Sequence, residues 1–344
     1  MNMKNLSKPL TTRWPSYINP KNGENLRKIK ESNRKLYLKS KTGEFYPILK
    51  GIPRIIQNFK NYSDAFGDQW KRWRKTQLDS YSGTNISRNR IYRCLGKSIL
   101  NNLKNYKKQI NVLEVGCGAG RFTEILLNFP TIKLTSIDSS NAVEANNLNF
   151  SQNRNHRIIQ ADIMECPFKP MQYDIVICLG VIQHTPNPEI TIQKLYEQVK
   201  PGGSLIIDHY TWDISRVTKI TANFLRPFIK RLSSKKRINT IKYLVNIFFP
   251  LHKLFKKMPI CHKFLSRISP ILTYFHAYPE LSDNLQKEWS MLDTHDSLTD
   301  WYKHLRTSKQ IKKYLKKNNS VSIKVCISGN NVEARCKRPL NKKN

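Results

Sequence analysis

The chain has 344 residues, 39% of them hydrophobic, with 60 Lys/Arg against 24 Asp/Glu and a formal net charge of +36. No apolar run reaches the roughly 18 residues of a spanning helix, and the first residues lack the apolar stretch of a secretory signal. The expected location is the cytoplasm, with peripheral attachment to the inner face of the membrane left open. Seven cysteines without a CxxC pair fit reduced thiols and speak against a disulfide scaffold.

The charge is uneven. Residues 111–210 hold 7 Lys/Arg and 10 Asp/Glu, so the flanks carry the whole cationic excess. Residues 211–270 alone hold 14 Lys/Arg and one acid, Asp213. A uniform drift in composition would have coloured the middle as well. The flanks are therefore expected to meet an anionic partner: membrane lipid, a phosphorylated substrate or nucleic acid.

In chain order, "KLYLKSKTGEFYPILKGIPRII" (35–56) resembles the tail of a small zinc-ribbon family, where it follows two CxxC knuckles. The knuckle positions here are Asn19, Asn22, Leu38 and Lys41. None is a thiolate, so the resemblance implies a small β module over residues 1–60 that has lost its metal. Residues 61–110 read as a helical lead-in, with Phe66, Trp70 and Trp73 on one helical face and Gln77 nearby, either a packed helix or a lid. From 111 to 210 the apolar runs "NVLEVG", "IKLTSID", "RIIQAD", "YDIVICLG" and "GSLIIDHY" alternate with helical patterns, which means right-handed βαβ units and a parallel sheet. Residues 211–300 read as a basic amphipathic helical cap. There Ile241, Leu244, Val245, Phe248, Leu251 and Phe255 recur near helical spacing, and Pro250 is expected to kink or split the helix. Residues 301–344 supply a last helix and two β-rich runs split by Gly329-Asn330, a two-residue hairpin signal.

The loop Gly116-Cys117-Gly118-Ala119-Gly120 joins the first core strand to a helix and can bring backbone N–H groups close to a ligand. Glu114 stands two residues ahead of it. A carboxylate there would repel a pyrophosphate, yet it can accept hydrogen bonds from an ammonium group. Asp138 ends the second strand, where it can accept from two ribose hydroxyls, and Asp162 ends the third, where it suits an adenine amino group. Three acids at three successive strand ends imply a nucleoside that carries an amino acid.

With these motifs, and with "YDIVICLGVIQHTPNP" and "VKPGG" following in order, the chain resembles the class I S-adenosylmethionine-dependent methyltransferases over about 105–210 and the terminal hairpin. The resemblance implies an α/β, Rossmann-like fold with a seven-stranded, mostly parallel sheet in the order 3-2-1-4-5-7-6. It implies S-adenosyl-L-methionine as cofactor, held by Glu114, Gly116, Cys117, Gly118, Gly120, Asp138, Ser139, Asp162, Ile163 and Leu179. Residues 65–93 and 289–315 are similar to a bacterial methyltransferase subfamily whose members often sit among genes for surface polysaccharide or glycolipid assembly.

Methyl transfer to a hydroxyl needs alignment, exclusion of water and removal of a proton. His184, beyond the fourth strand, can take that proton near neutral pH, or it is a structural residue of its loop. Similar enzymes that methylate sugar hydroxyls pair such a His with an acid at the end of strand five, a position filled here by Asp208. "LDTHDSLTDWY" gathers Asp293, His295, Asp296 and Asp300 into an expected substrate-contacting loop, with a metal site as the alternative; no bound metal is expected. The expected function is O-methylation of a cell-envelope glycan, glycolipid or other lipid-linked small molecule, with residues 211–270 against an anionic membrane surface. The rivals are an RNA methyltransferase that binds through the basic flanks, and a cofactor-binding partner protein without turnover.

Overall fold

A computed structural model of the chain describes residues 14–31, 35–56, 64–105, 108–212 and 219–340; Asp213 and the first thirteen residues of the N-terminal module lie outside them. Four short strands come first: β1 (Arg27–Lys30), β2 (Leu36–Lys39), β3 (Phe45–Leu49) and β4 (Ile52–Ile55). Helices α1 (Asp64–Arg72), α2 (Asp79–Ser82) and α3 (Ile86–Asn105) lead to the core. The core runs β5 (Ile110–Val115), α4 (Thr123–Leu126), β6 (Ile132–Asp138), α5 (Ala142–Phe150), β7 (His156–Ala161), β8 (Tyr173–Cys178), α6 (Pro188–Glu197) and β9 (Val199–Tyr210). Four cap helices follow: α7 (Ile220–Ile229), α8 (Ser234–Phe255), α9 (Pro259–Ile268) and α10 (Asp283–Thr299). The chain closes with α11 (Ser308–Lys317), β10 (Val321–Ser328) and β11 (Asn331–Lys337).

The sheet has eleven strands, in the order β1-β2-β3-β4-β7-β6-β5-β8-β9-β11-β10, which corrects the expected count of seven. The four additional strands are those of the N-terminal module. β4 pairs parallel to β7, with Arg54 opposite Gln160 and Ile55 opposite Ala161. An edge strand at β7 would otherwise leave a row of N–H and C=O groups unpaired. The junction is reinforced by Arg54, which is buried and donates from Nη1 to Gln160 Oε1 (2.7 Å) and from Nη2 to Glu144 Oε1 (3.1 Å).

Strand periodicity divides the core. Leu113, Val115, Val176, Cys178, Leu205 and Ile207 face one side of the sheet, where Ile192 and Leu195 of α6 and Ile311 and Leu315 of α11 cover them. Their neighbours Val112, Ile175, Ile177 and Ile206 face the other side, under Ile91 and Leu95 of α3 and Leu126 of α4. Both faces of the central strands are buried, as a parallel sheet with helices on each side requires.

In the N-terminal module, Asn19 Nδ2 donates to Glu44 Oε2 (2.8 Å) and Asn22 Nδ2 to Thr42 Oγ1 (3.1 Å), so two facing turns are tied by hydrogen bonds. The residues opposite Asn19 and Asn22 are thus Glu44 and Thr42, respectively, whereas Leu38 is buried in the core and Lys41 is exposed. In the cap, Pro250 lies within α8 and does not split it. The buried row of α8 is Ile241, Val245, Phe249 and His252, while Leu251, expected on that row, is on the exposed side. No helix among the described residues is long and apolar enough to cross a membrane.

Candidate active site

Beyond the C-terminal ends of β5, β6, β7 and β8 lies a cavity of about 920 Å³, roofed by α1, α7 and α10 and bordered by the β10–β11 turn. This is the size and the place expected of a small-molecule site in a doubly wound sheet.

The glycine loop forms one wall. Gly116 has φ +71°, and a Cβ there would fall 2.2 Å from Val181 Cγ2; Gly118 has φ +52°, and its Cβ would lie 3.1 Å from the Trp70 indole. Bare backbone between Val181 and Trp70 therefore lines the cavity, together with Cys117. Gly120 answers a different need. Its Cβ would meet Phe150 Cε2 at 2.3 Å, so it permits close packing on α5, and it does not line the cavity.

Asp138, at the end of β6, lines the same wall. Its Oδ2 accepts from Gly118 N (2.9 Å), and its Oδ1 accepts from Ser140 N (2.8 Å) and Ser140 Oγ (2.7 Å). Burial raises its pKa against these hydrogen bonds. Asp162 accepts from Met164 N (2.9 Å) and turns the chain after β7. Ser139, Asp162, Ile163 and Leu179 all line the cavity.

Glu114 is placed otherwise than expected. It is buried behind the loop and does not line the cavity, and its Oε2 accepts from Thr123 Oγ1 (2.6 Å) and Ser136 Oγ (2.8 Å). Its Oε1 is buried without a hydrogen-bond partner. Burial pushes the carboxyl up to about 7, against the pull of the two hydroxyls. Glu114 thus braces the loop from below, because the even residues of β5 face α4 while the ligand side lies beyond the strand end.

His184 follows β8 on a single turn of 3₁₀ helix and is buried in the cavity wall, with Phe66 and Tyr210 edge-on to its ring at 5.4 Å each. Its Nδ1 lies 3.1 Å from Tyr302 O and 3.2 Å from Asp300 Oδ2. The Tyr302 carbonyl can only accept, so with the Asp300 carboxylate close by the proton is placed on Nδ1 and Nε2 is left as the basic nitrogen. Burial alone would lower the pKa of His184, but the carboxylates of Asp296 and Asp300 outweigh it and hold it above the ordinary value. Asp300 is itself fixed by Arg226, whose Nε donates to its Oδ1 at 2.7 Å.

The acid expected beside His184 was Asp208, and the structure corrects this. Asp208 is buried, forms an ion pair with Arg90 of α3 and accepts from Gly180 N, so it secures the loop after β8. Asp300 takes the place next to His184. It was singled out in sequence, as part of the "LDTHDSLTDWY" cluster, but nothing local links it to His184. The cluster itself is mostly helical, the end of α10 rather than a loop. Asp293 and Asp296, three residues apart, line the cavity, while His295 is buried and its Nδ1 lies 2.9 Å from Gln69 Oε1. Among the described residues no three His, Cys, Asp or Glu side chains are placed to hold a metal ion.

Of the aromatic helix upstream, Phe66, Trp70 and Gln77 line the cavity, whereas Trp73 packs against His295. Gln77 accepts from Arg121 Nη1 (3.1 Å) and donates to Asp293 Oδ1 (3.3 Å). Tyr274 donates to Asp293 Oδ2. Arg121 lies over the Phe122 and Trp289 rings at 5.4 and 5.3 Å. A polar fork framed by Tyr274, Tyr278 and Trp289 thus starts at the residue that follows the glycine loop; sequence singles out Gln77 and Asp293, but not Arg121 or the tyrosines that complete it.

Residues 113–207 match the profile of a family described as a methyltransferase domain. Over this segment the chain is similar to a methyltransferase domain. A malonyl-[acyl-carrier protein] O-methyltransferase of Priestia megaterium is 29% identical over 144 residues, 41% of this chain and 52% of that protein. A ubiquinone biosynthesis O-methyltransferase of Pseudomonas savastanoi pv. phaseolicola is 36% identical over 99 residues, 27% and 41% of the two chains. A tRNA U34 carboxymethyltransferase of Campylobacter curvus is 30% identical over 100 residues, 28% and 34%. The chain spans about half the length of these curated relatives, or less. S-adenosyl-L-methionine is the cofactor of the methyltransferase domain, and the walls fit it. The loop is bare where a Cβ would close the cavity, and Asp138 Oδ2 accepts one hydrogen bond where an ionised carboxylate oxygen can accept two.

Proposed function

We propose that the protein is an S-adenosylmethionine-dependent O-methyltransferase in which His184 removes the acceptor's proton. The observation that carries this reading is the His184–Asp300 pair, buried in the wall of the same cavity as the glycine loop and Asp138. When bound, the cofactor supplies an electrophilic methyl carbon on a cationic sulfur. The residues of this chain have the remaining tasks. The backbone of Gly116 to Gly118 and the carboxylate of Asp138 would hold the nucleoside and amino-acid portions, and Phe66 and Trp70 exclude water from above. His184 Nε2 accepts the hydroxyl proton, and Asp300, on the Nδ1 side, steadies the charged ring that results.

Two relatives named as O-methyltransferases support oxygen as the acceptor atom. For the acceptor we infer a hydroxyl of a cell-envelope glycan or glycolipid. That reading rests on the resemblance of the flanking segments, and the fork of Gln77, Arg121 and Asp293 beside three aromatic rings suits a polyhydroxylated ring. RNA is the rival acceptor, favoured by the acid-free basic stretch 214–279 of the cap and by one tRNA-modifying relative.

The test is His184→Ala assayed with lipid and glycan extracts. Turnover is expected to fall by about 10²- to 10⁴-fold with affinity for S-adenosylhomocysteine nearly unchanged. Wild-type turnover should rise with pH through a value above 6.5, as the imidazole becomes neutral, and in Asp300→Asn that midpoint should move down. Full activity in His184→Ala would remove the base from this scheme.

A further inference from the structure

Three cap helices turn rows of apolar side chains to solvent. On α7, Ile220, Phe224 and Phe228 are 72%, 68% and 61% exposed, and on α9, Ile260, Phe264 and Ile268 are 85%, 65% and 44% exposed. Spacing of four residues puts each trio on one side of its helix. Helix α8 adds Tyr243, Ile247, Leu251 and Leu254, opposite its buried row. Because α9 packs against both α7 and α8, the rows stand on neighbouring helices. Soluble surfaces rarely gather so many large apolar side chains in one region.

The charge around these rows has one sign. Residues 214–279 contain no Asp or Glu, and Arg231, Lys235, Lys236, Lys257 and Lys263 among them are exposed. A second copy of the chain would bring the same cations against these, so self-association through this face is opposed by repulsion. An anionic bilayer is complementary in both respects: aromatic and aliphatic side chains enter the interface while lysines meet lipid phosphates.

We propose that α7, α8 and α9 form a docking face for an anionic lipid bilayer. Helix α7 ties this face to the cavity. Its Ala222 and Arg226 line the cavity, and Arg226 holds the Asp300 that flanks His184. Docking would lay the outer side of this roof helix on the lipid, with the cavity on its inner side, so that an acceptor on a lipid tail would be presented beside the site. The docking stands on the cap alone, and delivery of the acceptor from the bilayer rests on the O-methyltransferase reading.

The experiment is sedimentation of the full chain with vesicles of phosphatidylcholine, and with vesicles of equal parts phosphatidylcholine and phosphatidylglycerol. Binding to the mixed vesicles and not to the neutral ones is expected. The double variant Phe224→Ser/Phe264→Ser should bind about tenfold or more weakly. Titration with S-adenosylhomocysteine, run on both proteins, reports folding and separates the two claims. A variant that loses vesicles and keeps the nucleoside supports docking, whereas a wild-type protein that binds vesicles and no nucleoside refutes only the functional reading. Absence of vesicle binding overturns docking. So does binding that salt abolishes but the serines leave intact, the behaviour of a surface for RNA or another polyanion. A dimer in solution that the serines dissociate would assign the face to a second copy and overturn it as well.

Discussion

The core and the cap bury apolar surface in different ways. Strand β5 is buried along its whole length, with alternate residues entering two separate clusters. Helix α8 buries one row, Ile241, Val245, Phe249 and His252, and leaves an apolar row exposed on its other side. The charges divide likewise: the core segment is slightly acidic, and the cap has no acid between residues 214 and 279. The core satisfies most of its apolar surface internally, whereas the cap leaves whole rows of it in water, which is the contrast the proposed docking face accounts for.

Three further measurements would break or sharpen this comparison. The largest stability effect is expected in the core, at Glu114. Its carboxyl is raised to about 7, so its contribution is complete below the unfolded value of about 4.5 and is lost as pH rises through 7. Urea unfolding of the wild type should therefore show stability falling by up to about 3 kcal/mol between pH 5 and pH 8, relative to Glu114→Gln. Equal pH profiles for the two proteins would mean that the carboxyl is not held protonated. Next comes Asp138→Ala, which removes an acceptor from the cofactor wall and from Gly118 N. Calorimetric titration should find S-adenosylhomocysteine bound about 10- to 100-fold more weakly, and undiminished binding would move the nucleoside elsewhere. The smallest effects, and the sharpest contrast, belong to α8. Val245→Ala should destabilise the protein by about 1–2 kcal/mol, and Leu251→Ser by no more than about 0.5 kcal/mol. Equal losses would show that both rows of the helix are packed.

The parts of the site that could be read from sequence are those built from neighbours. The glycine loop, Asp138 and Asp162 lie at the ends of consecutive strands, so pattern and position coincide. The His184–Asp300 pair joins the fourth core strand to the end of α10, and no spacing rule spans that distance. Asp208 filled the expected position in the chain, but Arg90, far upstream on α3, takes up its charge. Helix α10 was hard to recognise because its buried residues include Gln286, Ser290, Thr294 and His295 beside Trp289 and Leu298, so polarity does not mark the outer face. Strand β4 was hidden for another reason. It has four residues, one of them a proline, and its place in the sheet depends on β7.

That dependence has a consequence for synthesis. Arg54 and its partner Gln160 are separated by 106 positions, so β4 leaves the ribosome long before the strand it will lie against exists. For that interval the nascent module carries an open edge that could recruit other chains. Pro53 offers no N–H at that edge, and β3 already covers the opposite side of β4. Slowing translation between the two strands is therefore expected to raise aggregation of the growing chain, and slowing it after β7 to leave yield unchanged.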